Sequence, residues 1–198
     1  VRIGSPIRSE LCERLPSPEK VIEKMTTDSQ GSLQGVDAQY KYDGFRVQIH
    51  KDQDNIRIFS RNLEEMTHMF PELIKAAQTQ VNAKTAILDG EALAYSPESE
   101  EFLPFQETTK RRRKHGIEEM AKSLPLKAFI FDILYKDGKS LIDEPLTLRM
   151  DELSKTIPYD DVLIKSKNQI IKEAKPLSIL LEDAISKGLE GVVVKRLD

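Results

Sequence analysis

Tryptophan is absent from this 198-residue sequence, cysteine occurs once and histidine three times. A lone Cys12 excludes an internal disulfide framework and a cysteine-rich zinc site, and it fits a reducing compartment. His50, His68 and His115 are spaced too widely for a metal-ligand motif. No apolar run approaches the roughly 18 residues of a membrane span, so no membrane partner is expected. The opening Val1-Arg2-Ile3-Gly4 has neither a start Met nor a signal-like stretch, and the expectation is a piece of a longer intracellular chain. An excess of one charge is also missing: 30 basic residues face 33 acidic ones, for a net charge of -3. A dedicated nucleic-acid module is usually basic overall, so any DNA contact must be local. Repeats, a Walker A loop and a G-x-G-x-x-G turn are all lacking.

What is present is globular, with 39% hydrophobic and 32% charged residues. Folding a chain of this mass hides about 70% of its surface, enough for one domain or two small ones. Ser17-Pro18 predicts a capped helix to about Met25, and residues 31–35 a loop. From Val36 the chain turns to strand, and residues 45–50 and 56–59 form a hairpin around 52–55. Helices are expected over 71–81, 105–115, 117–123, 148–156 and 177–187, with Gly188 ending the last. Strands are expected over 85–95, interrupted at Asp89-Gly90, over 126–135, and over 191–194, with an Asp137-Gly138 turn. Strands arriving in hairpins with helices between them predict an α+β domain of mainly antiparallel sheets.

The chemistry gathers in four segments. Lys41-Tyr42-Asp43-Gly44-Phe45-Arg46 puts a lysine at a strand end beside a second cation. An unperturbed lysine is only about 0.04% neutral at pH 7, so a nucleophilic role needs a lowered pKa; otherwise this is a solvated turn. Asp89-Gly90-Glu91 puts two acids on one strand face. Residues 129–135 place Phe129, Phe131 and Tyr135 on one face. Glu190-Gly191-Val192-Val193-Val194-Lys195 flanks a buried strand with an acid and a lysine. Five residues separate that pair, so an ideal strand points them to opposite faces; a bulge or an early strand end would reconcile them.

In this order, Lys41-x-Asp43-Gly44-x-Arg46, Asp89-Gly90-Glu91, Phe131-Asp132 and the 190–195 segment resemble the nucleotidyltransferase motifs of ATP-dependent DNA ligases and capping enzymes. Phe59-Ser60-Arg61-Asn62-Leu63-Glu64 with Thr67 and Phe70-Pro71-Glu72 resembles the segment after the first motif, and Pro104-Phe105-Gln106 with Arg111-Arg112-Arg113-Lys114-His115 resembles the archaeal and eukaryal replicative ligases. The resemblance covers nearly the whole chain and implies an adenylation domain over 1–198 of nucleotidyltransferase, ATP-grasp-like fold. It implies that DNA-binding and OB domains and a final lysine motif lie outside these residues.

The resemblance further implies that Lys41 attacks the α-phosphate of ATP and holds AMP, which then passes to the 5′-phosphate of nicked double-stranded DNA. Arg46, Arg61 and Lys195 would bind phosphate or sugar. Glu91 and Glu190 would hold ribose or Mg²⁺. Phe131 would stack on adenine, and Gln39 and Tyr40 would line the nucleotide site. Arg61, Arg111, Arg112, Arg113 and Lys114 would contact DNA. A sliding clamp is a further partner the resemblance allows, and the fragment is expected to be a monomer limited to self-adenylation. The family usually has Glu where Gln39 stands; an amide can donate as well as accept, which predicts weaker discrimination of ATP from GTP. The alternatives are a GTP-using capping guanylyltransferase, an RNA ligase, or a nucleotide-binding module without turnover.

Overall fold

The computed structural model of the chain describes residues 1–26 and 34–198. Its elements, in order, are α1 (Pro18–Met25), β1 (Val36–Lys41), β2 (Phe45–Asp52), β3 (Asn55–Phe59), α2 (Pro71–Gln80) and β4 (Thr85–Ser96). They continue as β5 (Glu101–Phe102), α3 (Phe105–Thr109), α4 (Ile117–Ser123), β6 (Leu126–Lys136), β7 (Lys139–Ser140) and α5 (Leu146–Thr156). The last four are β8 (Leu163–Lys165), β9 (Asn168–Ile171), α6 (Ala174–Ser186) and β10 (Gly191–Arg196). The residues divide into two compact units: Val1–Ser9, Asp43–Asp143 and Arg149–Lys165 in one, and Glu10–Tyr42, Glu144–Leu148 and Ser166–Asp198 in the other. Among the described residues no helix is long and apolar enough to cross a membrane.

The larger unit is a seven-stranded sheet in the order β3-β2-β4-β6-β7, with β5 on β4 and β8 on β6. Every pairing is antiparallel except β6 with β8. One face carries Val47, Ile49, Ile58, Leu88, Ile130 and Ile133, the other buries Phe59 and Ile87 with Gln48 and His50, and Phe70 just before α2 and Leu73 within it are equally buried. The Asp137-Gly138 turn has φ of 44° and 92°, the left-handed pair that a tight hairpin needs. The buried Lys51 donates to the carbonyls of Ala77, Gln78 and Val81, satisfying acceptors that the end of α2 leaves open.

The smaller unit is a three-stranded sheet, β10-β1-β9. Strand parity sends Val36 and Ala38 into a core with Ile171 and Leu177, against which Val21, Ile22, Leu180, Val192 and Val194 pack. Ser17 caps α1 by accepting from the Lys20 amide. Gly188, at φ 76°, ends α6 while the Leu189 amide reaches back to the Ala184 carbonyl, a Schellman closure.

Three expectations change. The helix expected over 105–115 stops at Thr109 and gives way to tighter turns, in which the Arg111 and Arg112 amides donate to the carbonyls of Thr108 and Thr109 and the Arg111 side chain is buried. The interruption expected at Asp89-Gly90 is not in β4, which runs through; the irregularity falls on its partner β6. Of the loop expected over 31–35, residues 31–33 lie outside the described residues, and Gly35 directly precedes β1.

His50 ties the N-terminal segment to β2. Its Nδ1 accepts from the Gly4 amide at 2.9 Å, so the ring proton sits on Nε2 and points to Gln48 Oε1 at 2.8 Å. Gln48 in turn exchanges hydrogen bonds with the Ile7 backbone. Protonating Nδ1 would set two donors against each other. Burial, and then the Arg57 charge, push the His50 pKa down to about 4. The unfolded chain therefore takes this proton first, near pH 6.5, and stability is lost as pH falls from there toward 4. The expected loss is about 2 kcal/mol between pH 7 and pH 4.5. Urea unfolding of wild type and His50→Leu at both pH values reads it as the difference between their pH dependences. Equal dependences would rule it out.

Candidate active site

In the smaller unit, alternation along β1 puts Asp37, Gln39 and Lys41 on the face opposite the apolar core. Register with β10 sets Lys195 across from Asp37, Val193 across from Gln39 and Gly191 across from Lys41. Directly opposed residues share a face, so Lys195 joins Lys41 and Gln39 there. Glu190 lies just before β10, and its amide donates to the Lys41 carbonyl. Its carboxylate accepts from the Lys41 ammonium, and both side chains are roughly half exposed. The spacing puzzle between Glu190 and Lys195 is thereby solved in neither expected way. β10 pairs without a bulge and includes Lys195; it is the acid that stands outside the strand.

Tyr40 departs from expectation. Its side chain is on the core side of β1, where its hydroxyl donates to Asp183 and accepts from Lys187 at 3.0 Å. Those bonds hold the Asp183 carboxyl below its usual range and push the Lys187 ammonium up. The tyrosine belongs to the packing of α6 on the sheet, away from the Lys41 face.

In the larger unit, Arg46 stands opposite Glu91 in the β2–β4 ladder. Its guanidinium grips the Asp89 carboxylate with two parallel bonds, at 2.6 and 2.5 Å, and lies 4.8 Å from the centre of the Phe131 ring. Glu91 accepts from the Gly44 amide at 3.1 Å. Gly44 itself approaches β4 so closely that a Cβ would stand 2.2 Å from the Ala92 carbonyl oxygen, which explains a glycine there. On β6, Ile130 opposes Gly90 and Asp132 opposes Asp89, so Phe131 is the unpaired residue of a bulge. Asp132 is held by Arg149 at 2.9 Å.

Arg61 lies on an exposed turn just after β3. Arg112, Arg113 and Lys114 are exposed on irregular backbone, and Arg112 is within 3.9 Å of Glu64. Arg111 is different: it is 1% exposed, so it cannot reach DNA. Its guanidinium is consumed by the Glu72 carboxylate and by the carbonyls of Leu124 and Met69.

The structure thus joins Lys41 to Glu190, sets Gln39 and Lys195 on the same face, and groups Arg46, Asp89, Glu91 and Phe131 on the other unit. Sequence reasoning passed over Asp37, a 1% exposed carboxylate bonded to Gln39. Its signal was parity: it stands two residues before Gln39 and four before Lys41. Among the described residues no cluster of three acidic, histidine or cysteine groups forms a metal cage.

The Probable DNA ligase of Dictyoglomus turgidum is 42% identical over 198 residues, covering 100% of this chain and 33% of that protein. DNA ligase 2 of Thermofilum pendens is 38% identical over 198 residues, covering 100% and 32%. The chain therefore spans about a third of the length of these curated relatives. Among solved structures, the mycobacterial DNA ligase D complexed with ATP and MES superposes with a TM-score of 0.61 at 21% identity, over 83% of this chain and 49% of that one. The ATP-dependent DNA ligase from bacteriophage T7 in complex with ATP gives 0.56 at 19% identity, over 89% and 60%. Both share the antiparallel α+β fold expected from the sequence. The family profile described as ATP dependent DNA ligase domain matches residues 9–198, and the chain belongs to that family.

Proposed function

We propose that this chain is the adenylation domain of an ATP-dependent DNA ligase and that Lys41 is its nucleophile. The observation that carries the reading is the Lys41 amine at the end of β1, held by Glu190 and sharing its face with Gln39 and Lys195. On this reading Lys41 Nζ attacks the α-phosphorus of ATP. A P–N bond forms, the bond to the bridging oxygen breaks, and pyrophosphate leaves. The amine must shed its protons, and Glu190 is the acceptor beside it. Lys195, and Arg46 and Arg61 on the larger unit, supply cations for phosphate or sugar; such transfers rest on positioning and charge neutralisation. Phe131 offers an aromatic face to the base.

A divalent cation would add charge neutralisation at the phosphates. The donor that would hold it is the carboxylate of Glu190 on the smaller unit or of Glu91 on the larger, since Mg²⁺ keeps most of its waters and needs only one or two carboxylates. The AMP then passes to the 5′-phosphate of nicked DNA, and the 3′-hydroxyl seals the nick with release of AMP. Arg112, Arg113 and Lys114 would touch the DNA backbone. The relatives are about three times as long, and on this reading their remaining length supplies the DNA-binding and OB domains. The setting is intracellular.

Intact mass spectrometry tests the reading. Incubation with ATP and Mg²⁺ is expected to add one AMP per chain, and treatment with pyrophosphate to remove it. GTP in place of ATP separates a ligase from a capping enzyme. A chain that never gains AMP, and carries none when purified, would overturn the proposal.

A further inference from the structure

The Lys41 face of β1 buries two polar side chains in contact. Gln39, 3% exposed, donates from Nε2 to Oδ2 of the 1% exposed Asp37 at 2.5 Å. An ionised carboxylate offers acceptors alone, so the amide must turn its NH₂ toward it. Fixing that end fixes the other: Oε1 is the edge of the amide turned away from Asp37. A glutamine held this way presents an acceptor, as a glutamate would. The contact with the carboxylate also polarises the amide and strengthens its carbonyl as an acceptor. The second oxygen of Asp37, Oδ1, is buried with no hydrogen-bond partner among the described residues. An unsatisfied buried acceptor is destabilising.

We propose that Asp37 is a positioning residue that locks the Gln39 amide and thereby makes the site select adenine over guanine. This rests on the reading of Lys41 as nucleotidyl acceptor and of Gln39 as the contact to the base. Adenine carries an amino donor where guanine carries a carbonyl acceptor. A freely turning glutamine serves either base; a locked one serves adenine. The relaxed discrimination expected from Gln39 alone is therefore replaced by a retained preference for ATP. In effect the acid has moved two residues down the strand, with the amide relaying its acceptor character.

The test is the rate of AMP and GMP adduct formation on Lys41, measured with ATP and with GTP. Four proteins are compared: wild type, Asp37→Asn, Gln39→Glu and the double variant. Wild type is expected to favour ATP. In Asp37→Asn the new amide can donate to Gln39 Oε1, the glutamine can turn over, and the ATP-to-GTP ratio falls about tenfold. Gln39→Glu alone sets two carboxylates side by side and slows the reaction with ATP. The double variant exchanges acid and amide, and both rate and ratio recover. A merely structural Asp37 would lower both nucleotides' rates together and leave the ratio alone. An unchanged ratio in Asp37→Asn while adducts still form, or a double variant no better than the single ones, overturns the role of Asp37. No adduct on Lys41 in any protein, wild type included, overturns the underlying reading as well.

Discussion

Lys41→Ala and Lys41→Arg are both expected to abolish the ATP-dependent gain in mass, a fall of roughly four orders of magnitude or more in adduct formation. The two substitutions separate charge from nucleophilicity. Arginine keeps a cation opposite Glu190, yet a guanidinium stays protonated and offers no lone pair for phosphorus. Alanine removes both. Neither should unfold the chain, because the lysine side chain is 48% exposed at the end of β1 and touches none of the apolar core. Nucleotide binding, followed by protection against thermal unfolding, should persist in Lys41→Ala while the covalent product disappears. An undiminished adduct in either variant would move the nucleophile elsewhere.

Arg111→Ala is expected to destabilise the chain by about 3–5 kcal/mol, the usual cost of stripping one partner from a buried ion pair. Its guanidinium holds both oxygens of Glu72, at the start of α2, and the carbonyls of Met69 and Leu124. The same Glu72 carboxylate accepts from the Leu126 amide, where β6 begins. Removing the cation leaves the Glu72 carboxylate, only 15% exposed at its side chain, with the Leu126 amide as its remaining partner. Arg111→Met combined with Glu72→Gln should recover much of the loss, because the stranded charge goes with it. Arg112→Ala, next in sequence but 64% exposed at its side chain, should change stability by less than about 0.5 kcal/mol. Urea unfolding of these variants decides the matter, and an Arg111→Ala chain as stable as wild type would refute it.

The neighbouring arginines show where sequence stops being legible. Residues 110–114 are a uniform basic run, and nothing local marks the second of them as interior. Its burial depends on Glu72, 39 positions away. Elements set by local rules were readable. Ser17 and Pro18 opened α1, Asp137-Gly138 closed a hairpin and Gly188 ended α6. The alternation in β2 predicts a half-buried strand, yet Gln48, His50 and Lys51 are buried along with Val47 and Ile49, because their polar atoms find partners in the N-terminal segment and at the end of α2. The resemblance puts Tyr40 at the nucleotide site, but strand parity sends the neighbours Tyr40 and Lys41 to opposite faces. The same parity, applied backward from Lys41, leads to Gln39 and then Asp37. The acid was therefore available to reasoning, but its contact with the amide was not. The four motif segments were visible as residue types, while the two-pronged grip of Arg46 on Asp89 needed the ladder to bring them together.

The bulge at Phe131 separates a role in the site from a role in the fold. Ile130 and Asp132 already oppose the adjacent residues Gly90 and Asp89, so the β4–β6 ladder is continuous without the residue between them. The aromatic ring is one of two interruptions in this seam, the other being Leu134, skipped between the partners of Leu88 and Ile87. Substituting it is expected to leave the pairing of Ile130 and Asp132 intact, whereas Gly44 and Gly90 are each pressed against a neighbouring carbonyl. The stacking surface can therefore be altered by mutation without renegotiating the sheet.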